Sequence, residues 1–230
     1  VPHAELFEID RYALAMTAQM QADVLANFDR YDFHPAVSRL QTFCSEDLGA
    51  FYLDILKDRL YTTATDSRAR RSAQTALLEI TQTLLKLMAP ILSFTAEEAW
   101  KLLGSSTLKH LGDAARATIF TEVYHTLPAF DDAAALTAKW TRLRAIRAEV
   151  QRKLEEVRTA GDIGSSLQAE VDLYASGEDQ QLLASLGDDL RFVLIVSRAT
   201  VHAGEGETRI EVTPSKHKKC ERCWHWRLDV

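Results

Sequence analysis

The chain has 230 residues, of which 47% are apolar and 26% charged, and a net charge of −6. It is long enough to bury one large core or two, and acidic enough that generic, chain-wide attraction to nucleic acid is not expected. Cys44, Cys220 and Cys223 are too few for a disulfide framework and fit a reducing cytoplasm; no apolar run is long enough to span a bilayer. Val1 stands where an initiator Met would, so the sequence reads as cut from something longer.

The first stretch, "LFEIDRYALAMTAQMQADVLANF", carries Leu6, Ile9, Ala13, Met16, Met20, Val24 and Phe28 at gaps of three and four, the stripe of an amphipathic helix. Pro35 ends it by restricting His34, and it suits the first turn of a second helix through Val37, Leu40, Phe43, Leu48, Phe51, Ile55 and Leu60. In that stripe Cys44 reads as a buried thiol. A third helix, capped by Asp66 or Ser67, runs through Leu77, Ile80, Leu84 and Leu87 to Pro90. "TAEEAWKLLG" predicts a short helix with a Thr95–Glu98 capping box and a stop at Gly104. Together these segments predict an antiparallel helical bundle.

Residues 105–130 read as irregular, with one strand at "TIFTEVY". Leu136, Trp140, Leu143, Ile146, Val150, Leu154 and Val157 then mark a long helix ending near Gly161. "SLQAEVDLYA" switches to period two, with Leu167, Ala169, Val171 and Leu173 on one face and Gln168, Glu170 and Asp172 on the other: a half-buried strand. "EDQQLLASLGDDL" reads as a helix, and "RFVLIVSRATV" and "TRIEVTP" as strands. The chain is thus mainly α, with domains at 1–128 (helical bundle), 129–161 (connecting helix) and 162–230 (a small β-α-β-β piece).

No glycine-rich phosphate loop is present, and His3, His34, His110, His125 and His202 stand without a nucleophile at a telling spacing. The pairs Glu97/Glu98 and Glu155/Glu156 fit solvated helix faces, so no catalytic residue is assigned. Basic residues do gather. The helix 139–158 carries Arg144 and Arg147 on what reads as its outer side, and "DSRARRS" sets Arg70 and Arg71 at a helix start that also welcomes phosphate. The final "KHKKCERCWHWRLDV" interleaves Lys218, Lys219 and Arg222 with Trp224, a mixture suited to phosphates and unstacked bases. Each patch alone fits a solvated face; three of them in an acidic chain point to nucleic acid. Cys220 and Cys223 lack the strand-to-helix setting of a redox pair and fit half of a structural zinc knuckle, in which His217 and His225 sit too close to the pair to complete four ligands. "KDRLY" (Lys57, Asp58, Arg59, Tyr61) is either functional or an ion-pair network joining helices, and the structural reading is preferred.

"YDFHPAVSRLQTFCSEDLGAFYLDILKDRLYT", "RRSAQTALLEI" and "LMAPILSFTAEEAW" resemble the anticodon-binding domain of bacterial isoleucyl-tRNA synthetases. "GSSLQAEVDLYA", "LGDDLRFVLIVSRATV" and "KCERCWHW" are similar to the carboxy-terminal part of the same family, in the same order. The resemblance implies a class I synthetase that loads isoleucine onto tRNA(Ile) with ATP and Mg, and a zinc finger of two Cys-x-x-Cys pairs. Cys220 and Cys223 match the first pair. The His-Ile-Gly-His and Lys-Met-Ser-Lys-Ser motifs and the editing domain of that family are absent from this sequence, so the chain is expected to be inactive by itself. The expectations are a cytoplasmic monomer that binds tRNA(Ile) and neither DNA nor membrane, with the zinc half-site poorly filled and the residues after Pro214 loosened without metal. The alternative is an independent helical module whose zinc knuckle binds a protein.

Overall fold

The computed structural model describes residues 1–106 and 118–230; His110 and most of the irregular segment before Thr118 lie outside the described residues. Contacts divide the chain into two units, 1–54 with 64–134 and 55–63 with 135–230. No helix among the described residues is long and apolar enough to cross a membrane.

The first unit is built from helices. α1 (Glu8–Asp29) buries Tyr12, Ala13, Leu14, Thr17, Met20 and Val24. α2 (Phe33–Thr42) runs without a break into a π-helical stretch, Phe43–Leu53. Hydrogen bonds from i to i+5 widen that stretch, so the apolar stripe rotates: Phe43, Leu48, Phe51 and Tyr52 are buried while Cys44 is exposed. That corrects the expectation of a buried Cys44. At the centre of the unit the carboxylate of Asp10, itself fully buried, accepts hydrogen bonds from the Tyr52 hydroxyl (2.8 Å) and from Ser72 Oγ. Ser72 Oγ in turn accepts from the Phe7 amide at 2.9 Å. A buried carboxyl group is tolerated inside a core only when its lone pairs are used, and here they tie three helical segments together.

α4 (Arg68–Met88) starts at Ser67, whose hydroxyl accepts from the Arg70 amide at 3.3 Å, and buries Ala73, Ala76, Ile80 and Leu87. α5 (Ser93–Ser106) begins earlier than the sequence suggests. Its first turn is closed by the Ala96 amide on the Leu92 carbonyl (2.9 Å), which places Thr95 inside the helix and not at a capping box. The helix also runs past Gly104. Trp100 packs into a cluster with Leu85, Ala89, Ala96 and Ile119. The expected strand at "TIFTEVY" is a 3₁₀ turn, Ile119–Thr121. Glu97 takes the Ile119 amide (2.9 Å) and Thr118 Oγ1 takes the Phe120 amide (3.3 Å), so side chains satisfy the donors a strand would have used.

In the second unit, α3 (Asp54–Thr62) contributes all but its first residue, with Ile55 and Leu56 buried. α6 (Ala133–Thr159) buries Leu136, Trp140, Leu143, Ile146, Val150 and Leu154. It stops at Gly161, whose φ of 85° suits a residue without Cβ and lets the Asp162 amide return to the Val157 carbonyl at 3.2 Å. β1 (Ala169–Ala175) lies between β2 (Arg198–Ala203), to which it is parallel, and β3 (Arg209–Pro214), to which it is antiparallel. Val171 faces Ala199 on one side and Val212 on the other. Val171, Leu173 and Ala175 are fully buried; Asp172 and Tyr174, on the opposite face, are half-buried. The crossover holds α7 (Gly177–Ala184) and a short α8 (Leu190–Leu194). α8 occupies the front of the expected strand "RFVLIVSRATV": Leu190, Val193 and Leu194 share a buried helical face, and Ile195 at φ 58° ends the helix before β2.

Candidate nucleic-acid interface

After β3 the chain is fastened to the sheet. Ser215 is buried, its amide donating to the Gln168 carbonyl (2.7 Å) and its hydroxyl to Glu170 (2.7 Å), which also takes Arg198 at 2.7 Å. A hairpin follows, with β4 (Lys218–Lys219) antiparallel to β5 (Trp226–Arg227), and Lys219 opposite Trp226. Its far end is held too, by the Trp226 amide on Ser197 Oγ at 2.6 Å.

Cys220 to His225 form the tight turn between these strands. The Cys220 amide donates to the His225 carbonyl (2.8 Å), and the Trp224 amide to the Cys220 carbonyl (2.9 Å). Trp224 adopts a left-handed φ of 64°, which costs a bulky residue about 1–2 kcal/mol and folds the backbone back on itself. The amides of Cys223 and Arg222 then point at Cys220 Sγ, and these bonds, with a further one from the Cys223 thiol, push the Cys220 thiol below its ordinary value. Burial pushes Cys223 up. Two cysteines on one tight turn, the first with backbone amides facing its sulfur, have the spacing of two ligands of a tetrahedral zinc site. Among the described residues no group of three or more His, Cys, Asp or Glu could hold a metal ion. The ring of His217 approaches Glu170 (3.7 Å) and that of His225 approaches Asp58 (3.9 Å), with His225 Nδ1 buried and lacking a hydrogen-bond partner.

The turn presents Lys218, Lys219, Arg222 and Trp224 outward, and Trp224 is 61% exposed. Lys219 Nζ lies 5.1 Å from the Trp224 ring centroid, which leaves an exposed indole flanked by a cation. Arg222 is partly committed, donating to the Thr62 carbonyl at the end of α3 (3.1 Å). On α6, Arg144 is half-buried and Arg147 departs from expectation. Arg147 is 5% exposed, its Nε donates to the Val193 carbonyl at 2.9 Å, and Gln151 faces its guanidinium. Position 147 falls beside Ile146 and Val150 on the inward stripe, so its charge satisfies a helix-end carbonyl of α8 and is not turned to solvent. Arg70 and Arg71 belong to the first unit, at the start of α4; Arg71 is exposed and donates to Gln74 (3.2 Å), while Arg70 is half-buried. Glu170, Ser197 and Ser215, which hold the turn, are not singled out as site residues by pattern, whereas Asp58 stands within "KDRLY", for which the structural reading is preferred.

Residues 10–173 match the family model described as the anticodon-binding domain of tRNA ligase. The chain is 82% identical over 230 residues to an isoleucine-tRNA ligase of Bordetella petrii, 80% to that of Bordetella pertussis, and 59% over 232 residues to that of Cupriavidus taiwanensis. All of this chain is covered in each comparison, but it spans only 24%, 24% and 23% of the relatives' lengths. The chain therefore belongs to the family of anticodon-binding domains of tRNA ligases.

Proposed function

We propose that this chain recognises the anticodon arm of an isoleucine tRNA, as the RNA-reading part of an isoleucine-tRNA ligase whose complete form attaches isoleucine at the expense of ATP with Mg. The family match across residues 10–173 carries this reading, and the identity with ligases named for isoleucine narrows it to that tRNA. Its work is positioning. Exposed cations hold phosphates, and exposed aromatic rings accept splayed bases. Trp224, Lys218, Lys219 and Arg222 are the proposed contacts on the cysteine turn, with Arg71, Arg70 and Arg144 as further phosphate contacts; buried Arg147 is left out of this set.

Zinc is proposed as the resident metal of the complete ligase, with Cys220 and Cys223 as two of its four ligands and the others from outside the described residues. Bound there, the ion would lock the turn's geometry and take no part in the transfer of isoleucine. The chain is expected to be monomeric and to show no isoleucine-dependent pyrophosphate exchange. The test is titration with an RNA stem-loop carrying an isoleucine anticodon. Affinity should fall with salt, with a log–log slope of roughly −0.7 per phosphate contact. Salt-independent binding, or equal affinity for a stem-loop with an unrelated anticodon, would count against the reading.

A further inference from the structure

α3 is covalently flanked by the first unit yet belongs to the second, and its C-terminal half meets the cysteine turn. Asp58 and Thr62 sit four residues apart on one helix face. The Thr62 carbonyl, one of the acceptors a helix leaves unused at its end, takes the Arg222 guanidinium at 3.1 Å, where a cation also suits the helix dipole. Asp58 Oδ1 lies 3.9 Å from Nε2 of the buried His225 ring, which packs edge-on against Phe192 at 5.6 Å. Arg222 and His225 bracket Cys223 and Trp224, so a hydrogen bond to the end of α3 ties the turn down on one side of the exposed indole, and the buried His225 ring, packed on Phe192 and close to Asp58, seats it on the other.

We propose that α3 is the platform that aims this turn, with Asp58 and the Thr62 carbonyl as positioning groups for Trp224. This rests on the reading of Trp224 as an RNA contact and assigns a role to "KDRLY": it holds the RNA-facing turn and does not itself touch RNA through Asp58. The grip uses no thiol, so it acts whether or not a metal closes the cysteine pair. Without it, the left-handed backbone at Trp224 has fewer contacts to impose it, and the indole samples more directions.

Asp58→Ala, Asp58→Asn and Trp224→Ala, singly and with Asp58→Ala and Trp224→Ala combined, test this in the whole chain. Amide exchange at Cys220, Trp224 and Trp226 should quicken in Asp58→Ala while Val171 and Leu173 in β1 stay protected, and Asp58→Asn should restore much of the protection. Affinity for the anticodon stem-loop should drop about 5- to 150-fold in Trp224→Ala, several-fold in Asp58→Ala, and no further when the two are combined. Unchanged exchange in the turn, loosening that extends through β1, or losses that multiply in the double variant would each overturn the proposal. If Trp224→Ala binds RNA as tightly as the parent, the RNA reading of Trp224 falls and with it the aiming role, while the exchange data still decide whether α3 holds the turn.

Discussion

In the helical unit, Leu14, Met20, Phe43 and Trp100 are withdrawn from water, and a deeply buried acid, Asp10, is bonded to Tyr52 and Ser72. In the cysteine turn, strands of two residues carry a largely exposed Trp224, and the anchors are polar: Ser197, Ser215, the Thr62 carbonyl. Stability in the first region comes from apolar area and filled volume. Placement in the second comes from a few directed bonds, which add little to stability but fix where an aromatic ring points. Substitutions in the two regions should therefore be read out by different instruments.

The largest effect is expected at Phe43→Ala, which empties a fully buried site and should cost about 3–5 kcal/mol in urea unfolding. A loss under about 1 kcal/mol would mean the π-helical stretch is not part of the core. Next comes Asp10→Ala, which strands the Tyr52 and Ser72 hydroxyls at about 1–2 kcal/mol each. Tyr52→Phe, which removes a single bond, should cost roughly 1 kcal/mol, and equal losses for the two variants would break the picture of Asp10 as a hub.

Acid titration sharpens the comparison further. Hydrogen bonding from His125, then its charge, and the same from His3, hold Glu79 below its ordinary value of 4.5 despite partial burial. A carboxylate depressed by folding contributes stability that is complete above its unfolded value and is lost as pH falls through the lower folded one. Unfolding free energy should therefore decline with pH below 4.5, and Glu79→Gln should flatten that decline. An identical acid limb in Glu79→Gln would remove Glu79 from the account. On the exposed face of α6, by contrast, Arg142 pairs two-pronged with Asp179 at 2.8 and 2.5 Å, yet Arg142→Ala should cost at most about 1 kcal/mol because solvent and salt screen the pair.

Sequence periodicity was a good guide wherever one period governs a whole element. α1, α4, α6, β1 and β3 fall where their stripes put them, and Ser67 caps α4. It misleads where hydrogen bonding changes the period or supplies substitutes for a ladder: the π bonds that expose Cys44, the Glu97 and Thr118 bonds that coil "TIFTEVY", the helical turn hidden in "RFVLIVSRATV". Arg147 shows the same limit for charge, since a cation one step from an apolar stripe can point inward if a carbonyl waits there. On the site, composition and the Cys-x-x-Cys spacing picked out the turn itself. What held it could not be read, because Thr62 and Arg222, like Asp58 and His225, are separated by more than half the chain, and no local pattern encodes a long-range contact.

The most direct measurement is the affinity of the chain for the isoleucine anticodon stem-loop at two salt concentrations, taken beside its unfolding free energy, for the parent and for Trp224→Ala. The account expects salt-weakened binding, a loss of about 1–3 kcal/mol in affinity on removing the indole, and a stability change within about 0.5 kcal/mol. Binding that ignores both salt and the loss of Trp224, or a Trp224→Ala chain that unfolds as readily as Phe43→Ala, would contradict it.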